Sequence, residues 1–273
     1  RINNNSQYND EVYYALLSEI ANLTGQIQIL NQQLENSTEN NDELYGTLLS
    51  EIANLTVQIE DLKPKPFHPK SNAELKSAIE LFIEYPATSN ITFGEIQTWD
   101  VSNVTDMSNM FYNSSNFNGN LSSWDTSSVT DMSNMFSHIK DFNEDISSWD
   151  TSSVTDMGFM FFRANNFDTD ISSWNTSSVA KMTYTFGYTN GFDADISGWD
   201  TSSVIDMSYM ISSNNNFVAN ISDWDTSNVA NMDKMFFYAN NFGTDISGWD
   251  TSSVTNMNRM FSYSVNFKAD LSG

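Results

Sequence analysis

Phe142–Asn166 reads FNEDISSWDTSSVTDMGFMFFRANN, and this 25-residue frame decides the fold because it returns along the chain without a change of spacing. All seven tryptophans, Trp99, Trp124, Trp149, Trp174, Trp199, Trp224 and Trp249, stand 25 residues apart, and the thirteen methionines keep the same frame. The recurring apolar positions in this copy are Phe142, Ile146, Trp149, Val154, Met157, Met160 and Phe161. Phe117, Phe167, Phe192, Phe217, Phe242 and Phe267 are equivalent to Phe142. A period this strict marks stacked supersecondary units, none of which buries its apolar face alone. The residues between are Ser, Thr, Asn, Asp and Gly, which favour turns over long helices. A repeat solenoid of seven turns over 91–273 is expected, each turn with a short strand near 145–149 and a short helical or 3₁₀ piece near 156–163. The seven tryptophans are its candidate core.

Acidic residues change type along the chain. Residues 1–90 hold ten Glu and three Asp, and residues 91–273 hold two Glu and twenty Asp. Glu forms helices well, whereas the short Asp side chain captures nearby backbone amides and favours turns and caps. The first third is therefore helical. Its segment NDEVYYALLSEIANLTGQIQIL, from Asn9 to Leu30, recurs 32 residues later as NDELYGTLLSEIANLTVQIEDL. Tyr13, Leu16, Ile20, Leu23, Ile27, Leu30 and Leu34 alternate by three and four, as do Tyr45, Leu48, Ile52, Leu55, Ile59 and Leu62. Such a heptad stripe predicts an α-helical coiled coil over 1–62. Ile20, Leu23, Ile27, Leu30, Leu48, Ile52, Leu55 and Ile59 are its candidate oligomerisation residues. The offset of 32 puts the two seams out of phase. The copies thus either continue as one strand joined to other chains, or fold back about 36–41 as a helical hairpin.

Residues 63–70, KPKPFHPK, hold three of the four prolines and form a Pro/Lys linker where the helix must stop. Residues 71–90 show a capped amphipathic helix with Leu75, Ile79, Leu81 and Phe82, placed to cover one end of the repeats.

The motif WDTSSVTDM…MF, with the preceding LKSAIELF and FGEIQTWDVSNVTDM, resembles the BspA-type leucine-rich-repeat-like surface proteins from about Phe67 to Gly273. The resemblance implies a right-handed, leucine-rich-repeat-like solenoid. It also implies a role on the surface of a cell or virion, or in secretion, as in adhesive proteins of bacteria, protists and large viruses. It brings no catalytic residues and names no ligand.

Charge and composition exclude several classes. A formal net charge of −24, with 35 acidic against 11 basic residues, repels nucleic acid and anionic membrane. No apolar run suggests membrane insertion. Cysteine is absent, which removes disulfides and thiol chemistry. Neither His68 nor His138 has a recurrent nucleophile or carboxylate beside it, and no phosphate-loop, zincin or nucleophile-elbow motif occurs. No enzyme is expected, and no cofactor apart from calcium.

Calcium enters through Asp100, Asp125, Asp150, Asp200, Asp225 and Asp250, which should stack one per turn. Stacked carboxylates need local donors or a cation. Asx-turns onto the following Ser or Thr amides are one answer, and a calcium ladder the other. Departures from the frame, namely Asn175, Lys181, Thr185, Ile211 and Asn231, make turns four and five the least regular. They mark either a functional face or drift. Ten Asn-x-Ser/Thr sequons occur, at Asn4, Asn22, Asn36, Asn54, Asn90, Asn103, Asn113, Asn120, Asn175 and Asn220. Of these, Asn22, Asn54, Asn90, Asn103, Asn113, Asn120, Asn175 and Asn220 are candidate glycosylation sites in a eukaryotic secretory pathway.

The reading that follows is an extracellular structural or adhesive surface protein, a homo-oligomer through its coiled coil. The chain starts without Met and stops where the next turn would place its Trp. It is therefore expected to be an excised product whose open end is either truncated or capped by a second copy, giving a filament. A host-surface protein or glycan is the other partner. The alternative is a monomeric carbohydrate- or protein-binding module or, last, a carbohydrate-active enzyme.

Overall fold

The computed structural model describes residues 3–36, 42–62, 66–115 and 117–267, with side chains in the first two helices described for 14–34, 46–59 and 61–62. Four α-helices lead the chain: α1 (Asn3–Asn36), α2 (Asp42–Leu62), α3 (Asn72–Glu84) and α4 (Pro86–Phe93). A 3₁₀ turn at Ile96–Thr98 follows. Among the described residues there is no strand and no sheet beyond isolated single-residue bridges. The contacts divide the chain into two compact units, 1–67 with 80–95, and 68–79 with 96–273.

This corrects the expected fold class on both counts. In place of a long coiled coil there is a helix pair, α1 and α2, packed on one another within the chain. Only residues 37–41 separate them, and so short a connection cannot run back along a helix, so packed neighbours must be antiparallel. Leu23 lies thirteen residues before the end of α1 and Leu55 thirteen after the start of α2, and both are buried, as is Leu48. Ile20, Ile27, Leu30, Ile52 and Ile59 are half-buried, whereas Leu17, Ile29, Leu49 and Val57, off the stripe, are exposed. The heptad stripe is thus the inner face of a hairpin, and the out-of-phase offset is what folding back tolerates.

The second correction concerns the repeat. The expected strand at 145–149 is a turn, and the expected helical piece at 156–163 is a parallel bridge at Asp156 followed by tandem turns. Met157, Met160 and Phe161 carry helix-like spacing, but the backbone amides do not bond up a helix. The N–H groups of Met157, Phe159, Phe161 and Arg163 donate to the carbonyls of Lys181, Thr183, Thr185 and Gly187 in the next copy, at 2.7–3.0 Å. Short i→i+3 bonds, such as Met160 N–H to Met157 O at 3.1 Å, close the turns between them. Residues Phe159 and Arg163, each third in such a turn, have φ of 59° and 60°. That sign change, the geometry of a type II turn, breaks both helix and strand while keeping every second amide aimed at its neighbour. The result is a stack of turn-built rungs, joined by parallel bridges at Asp106, Asp131, Asp156, Lys181, Asp206, Asn231 and Asn256.

Side chains fill this stack in columns. Trp149 and Trp174 lie 6.4 Å apart and within 3° of parallel, and Phe136, Phe161 and Phe186 stack at 5.7 Å. Each indole also donates its N–H across a rung, Trp174 to Ile146 O at 3.1 Å and Trp199 to Ile171 O at 3.1 Å. The buried Thr176 hydroxyl reaches forward to Asp200 O at 2.9 Å, and its equivalents Thr126, Thr151, Thr201 and Thr226 do the same. These bonds allow polar groups inside an aromatic core without the cost of an unsatisfied donor. In α3, Leu75, Ala78 and Ile79 are buried.

Candidate recognition face

Each rung presents two residues in the left-handed region, and across the described rungs these form two columns. One holds Asn109, Asn134, Phe159, Tyr184, Tyr209, Lys234 and Arg259, and the other Asn113, His138, Arg163, Tyr188, Ser213, Tyr238 and Tyr263, all with φ between 50° and 64°. A side chain other than Gly or Asn there costs of order 1 kcal/mol. The first rung uses Asn twice, the residue that tolerates this backbone best. From Phe159 onward the same positions carry aromatic and cationic side chains, with Ser213 the one exception. The scaffold columns, by contrast, hold Trp, Val and Thr with little change. Costly residues at variable, outward positions on a fixed frame are the mark of a surface kept for contact.

The rings are organised. Phe159, Tyr184 and Tyr209 stack at 4.8 and 4.2 Å, and the Lys234 ammonium sits 4.6 Å over the Tyr209 ring while bonding its hydroxyl. Asp233 lies 3.3 Å from the same ammonium. Burial, then the neighbouring Tyr209, pushes the Tyr184 hydroxyl well above the usual tyrosine range. The bond to Tyr209 holds Lys234 above the usual lysine range, against the opposing effect of burial. In the second column His138 packs between Tyr112 at 5.5 Å and Phe162 at 5.2 Å. Burial and the Arg163 guanidinium lower its pKa. Arg163 in turn lies 5.4 Å over Tyr188. Tyr112, Tyr238 and Tyr263 are 49%, 43% and 60% exposed. Gly187 makes this packing possible: a Cβ there would meet the Tyr184 ring at 2.6 Å and Phe162 at 3.3 Å.

The acidic ladder has a structural occupation. Asp100, Asp125, Asp150, Asp200, Asp225 and Asp250 each accept the amide of the Ser two residues on, at 2.9–3.1 Å, and Asn175 does likewise. Hydrogen bonds from that serine hold the carboxyls of Asp100, Asp150, Asp200, Asp225 and Asp250 below the usual range. Asp145, Asp170 and Asp195 form a second such column on Ser147, Ser172 and Ser197. Among the described residues no group of three or more His, Cys, Asp or Glu is placed to hold a metal ion. His68 pairs with Asp100 at 2.8 Å. The seven tryptophans are all buried. Of the sequons, Asn22, Asn54, Asn103, Asn113, Asn120, Asn175 and Asn220 are exposed, Asn90 is half-buried in α4, and Asn4 and Asn36 lie where no side chain is described. Among the described residues, no helix is long and apolar enough to cross a membrane.

The family described as "Mycoplasma protein of unknown function, DUF285" matches residues 80–199 and 186–273, which takes in every rung. The chain belongs to this family. No curated protein and no solved structure matches it. In this DUF285 chain the left-handed columns went unseen in the sequence, because a consensus highlights what repeats, whereas these positions are those that vary. The signal was present in Asn109, Asn113 and Asn134, the residue type most at home at positive φ.

Proposed function

We propose that this DUF285 protein is a non-catalytic, extracellular surface protein of the BspA-like adhesive kind, which binds a cell-surface protein or glycan through its two left-handed columns. The observation that carries the reading is the contrast between the buried columns, which hardly vary, and the strained outward columns, which from Phe159 onward carry Phe, Tyr, Lys and Arg at all positions but Ser213. Aromatic and cationic side chains are the groups that dominate recognition surfaces. On a chain of net charge −24, Arg163, Lys234 and Arg259 on this face supply cations that rings and ligands can share. Self-association through the heptads is not part of the reading, since that stripe is covered within the chain.

The test is retention of the labelled full chain on an array of cell-surface glycans and extracellular matrix proteins. Binding that is lost when Tyr188, Tyr238 and Tyr263 are changed to Asn supports the proposal. Turnover of any arrayed glycan, or binding indifferent to these changes, contradicts it.

A further inference from the structure

Three departures from the repeat meet at one place on the turn face. Residue 158 is Gly where other copies have Ser133, Thr183 and Ser208. Residue 159 is Phe where the first two copies have Asn109 and Asn134, and residue 181 is Lys where its neighbours have Asp156 and Asp206. Over Gly158 a depression of about 280 Å³ opens, lined also by Asn134, Asp156, Phe159, Lys181 and Thr183.

Its walls are fixed in place. Asp156 accepts the Gly158 amide at 2.9 Å through Oδ1 and the Lys181 ammonium at 2.9 Å through Oδ2. The carboxylate side chain is 20% exposed and the lysine 58%. Phe159 is backed by Tyr184 at 4.8 Å and by the edge of Phe162 at 5.6 Å. A Cβ at 158 would stand 3.0 Å from Asp156 Oδ1. The glycine therefore leaves open the space beside the Asp156 carboxylate.

We propose that this depression binds one neutral pyranose residue of a surface glycan. A sugar ring has an apolar C–H face for Phe159 and, on its rim, hydroxyls that donate and accept at once. Neighbouring hydroxyls match a carboxylate beside an ammonium, donating to Asp156 and accepting from Lys181, with the Asn134 amide able to serve either way. The ion pair is neutral as a unit, so a charged ligand would displace one of its members, and an anionic one would meet the net charge of −24 besides. The volume suits one ring. A few fixed polar groups about an apolar wall are what small-ligand sites present. The inference rests on the reading of the chain as a non-catalytic surface binder, and it deepens that reading by naming the ligand class of one subsite.

The experiment is saturation-transfer NMR on the full chain with methyl glycosides of glucose, mannose, galactose and N-acetylglucosamine. It is repeated on Gly158→Ser, Phe159→Asn and Lys181→Asp. Each substitution restores a residue that other copies carry at that position, so the stack is kept. Saturation transfer to at least one methyl glycoside is expected, with affinity reduced roughly tenfold or more by each of Gly158→Ser, Phe159→Asn and Lys181→Asp. The proposal is overturned if none of the four binds at millimolar concentration, or if Gly158→Ser leaves binding unchanged. In that event, retention of the full chain on the matrix-protein array leaves the surface-binding reading standing. Absence of retention on the matrix proteins and the glycans of that array ends that reading too.

Discussion

The first two rungs and the middle ones share a backbone but not a surface. At their left-handed positions the early rungs carry Asn109, Asn113, Asn134 and His138, and the middle rungs carry Phe159, Arg163, Tyr184, Tyr188, Tyr209, Ser213 and Lys234. The turns close alike in both, and the rung-to-rung bonds have similar lengths. The strain of placing a ring at positive φ is therefore not demanded by the fold, since asparagine satisfies the same geometry at less cost. What the middle rungs gain is a stacked, cation-capped row of rings at the surface. The scaffold is maintained by its inner columns, and the outer columns are free to be chosen for contact.

The largest effect should come from breaking the inner columns. Trp174→Ala removes a stacked indole and its bond to Ile146 O, and should cost about 3–5 kcal/mol, read by chemical denaturation. A cost below about 1 kcal/mol would mean that the rungs do not share a continuous core. Thr176→Val keeps the shape but strips the bond to the Asp200 carbonyl, for an expected loss of about 1–2 kcal/mol in the same assay. An unchanged midpoint would show that water reaches that carbonyl.

The outer positions should respond in the opposite direction. Arg259, at φ 53° and exposed, should yield about 0.5–1 kcal/mol of stability when changed to Asn. A loss instead would mean that its side chain supports the rung.

The carboxyls of Asp145, Asp150, Asp170, Asp195, Asp200, Asp225 and Asp250 lie below 3.8 in the folded chain because serine hydroxyls and amides bond to their charged form. The unfolded chain takes up protons first as pH falls, so the contribution is complete above about pH 5 and is lost progressively as pH falls through the depressed folded-state values. Melting temperature should therefore fall between pH 5 and pH 3. A rise would show that relief of repulsion among the 35 acidic residues outweighs the lost Asx bonds.

Periodicity made the stacked core legible: Trp at 25-residue steps, with Phe, Met and Val between, is what the interior contains. The helix pair was half legible. Leu23 and Leu55 were recognised as seam residues, but a heptad stripe has the same spacing whether its partner is another chain or the next helix. The turn conformation at 156–163 was not legible, because Met157, Met160 and Phe161 fit a helix as well as they fit tandem turns. Only the alternation of φ at Phe159 and Arg163, which no side chain there favours, tells the two apart. The Asp ladder was read on the residues that make it, since Asp followed two residues later by Ser carries its own donor.

Native mass by light scattering bears on the helices. With the stripe covered within the chain, the expected particle is a monomer of 30.8 kDa. A defined multimer would return the helices to an assembly role.

The recognition face is tested by placing Asn at 159, 184, 209 and 234, which gives the middle rungs the residue of the early ones. This variant should keep or raise its melting temperature and lose retention on the array of surface glycans and matrix proteins. A variant that still binds, with its fold intact, would contradict the assignment of the left-handed columns as the recognition face.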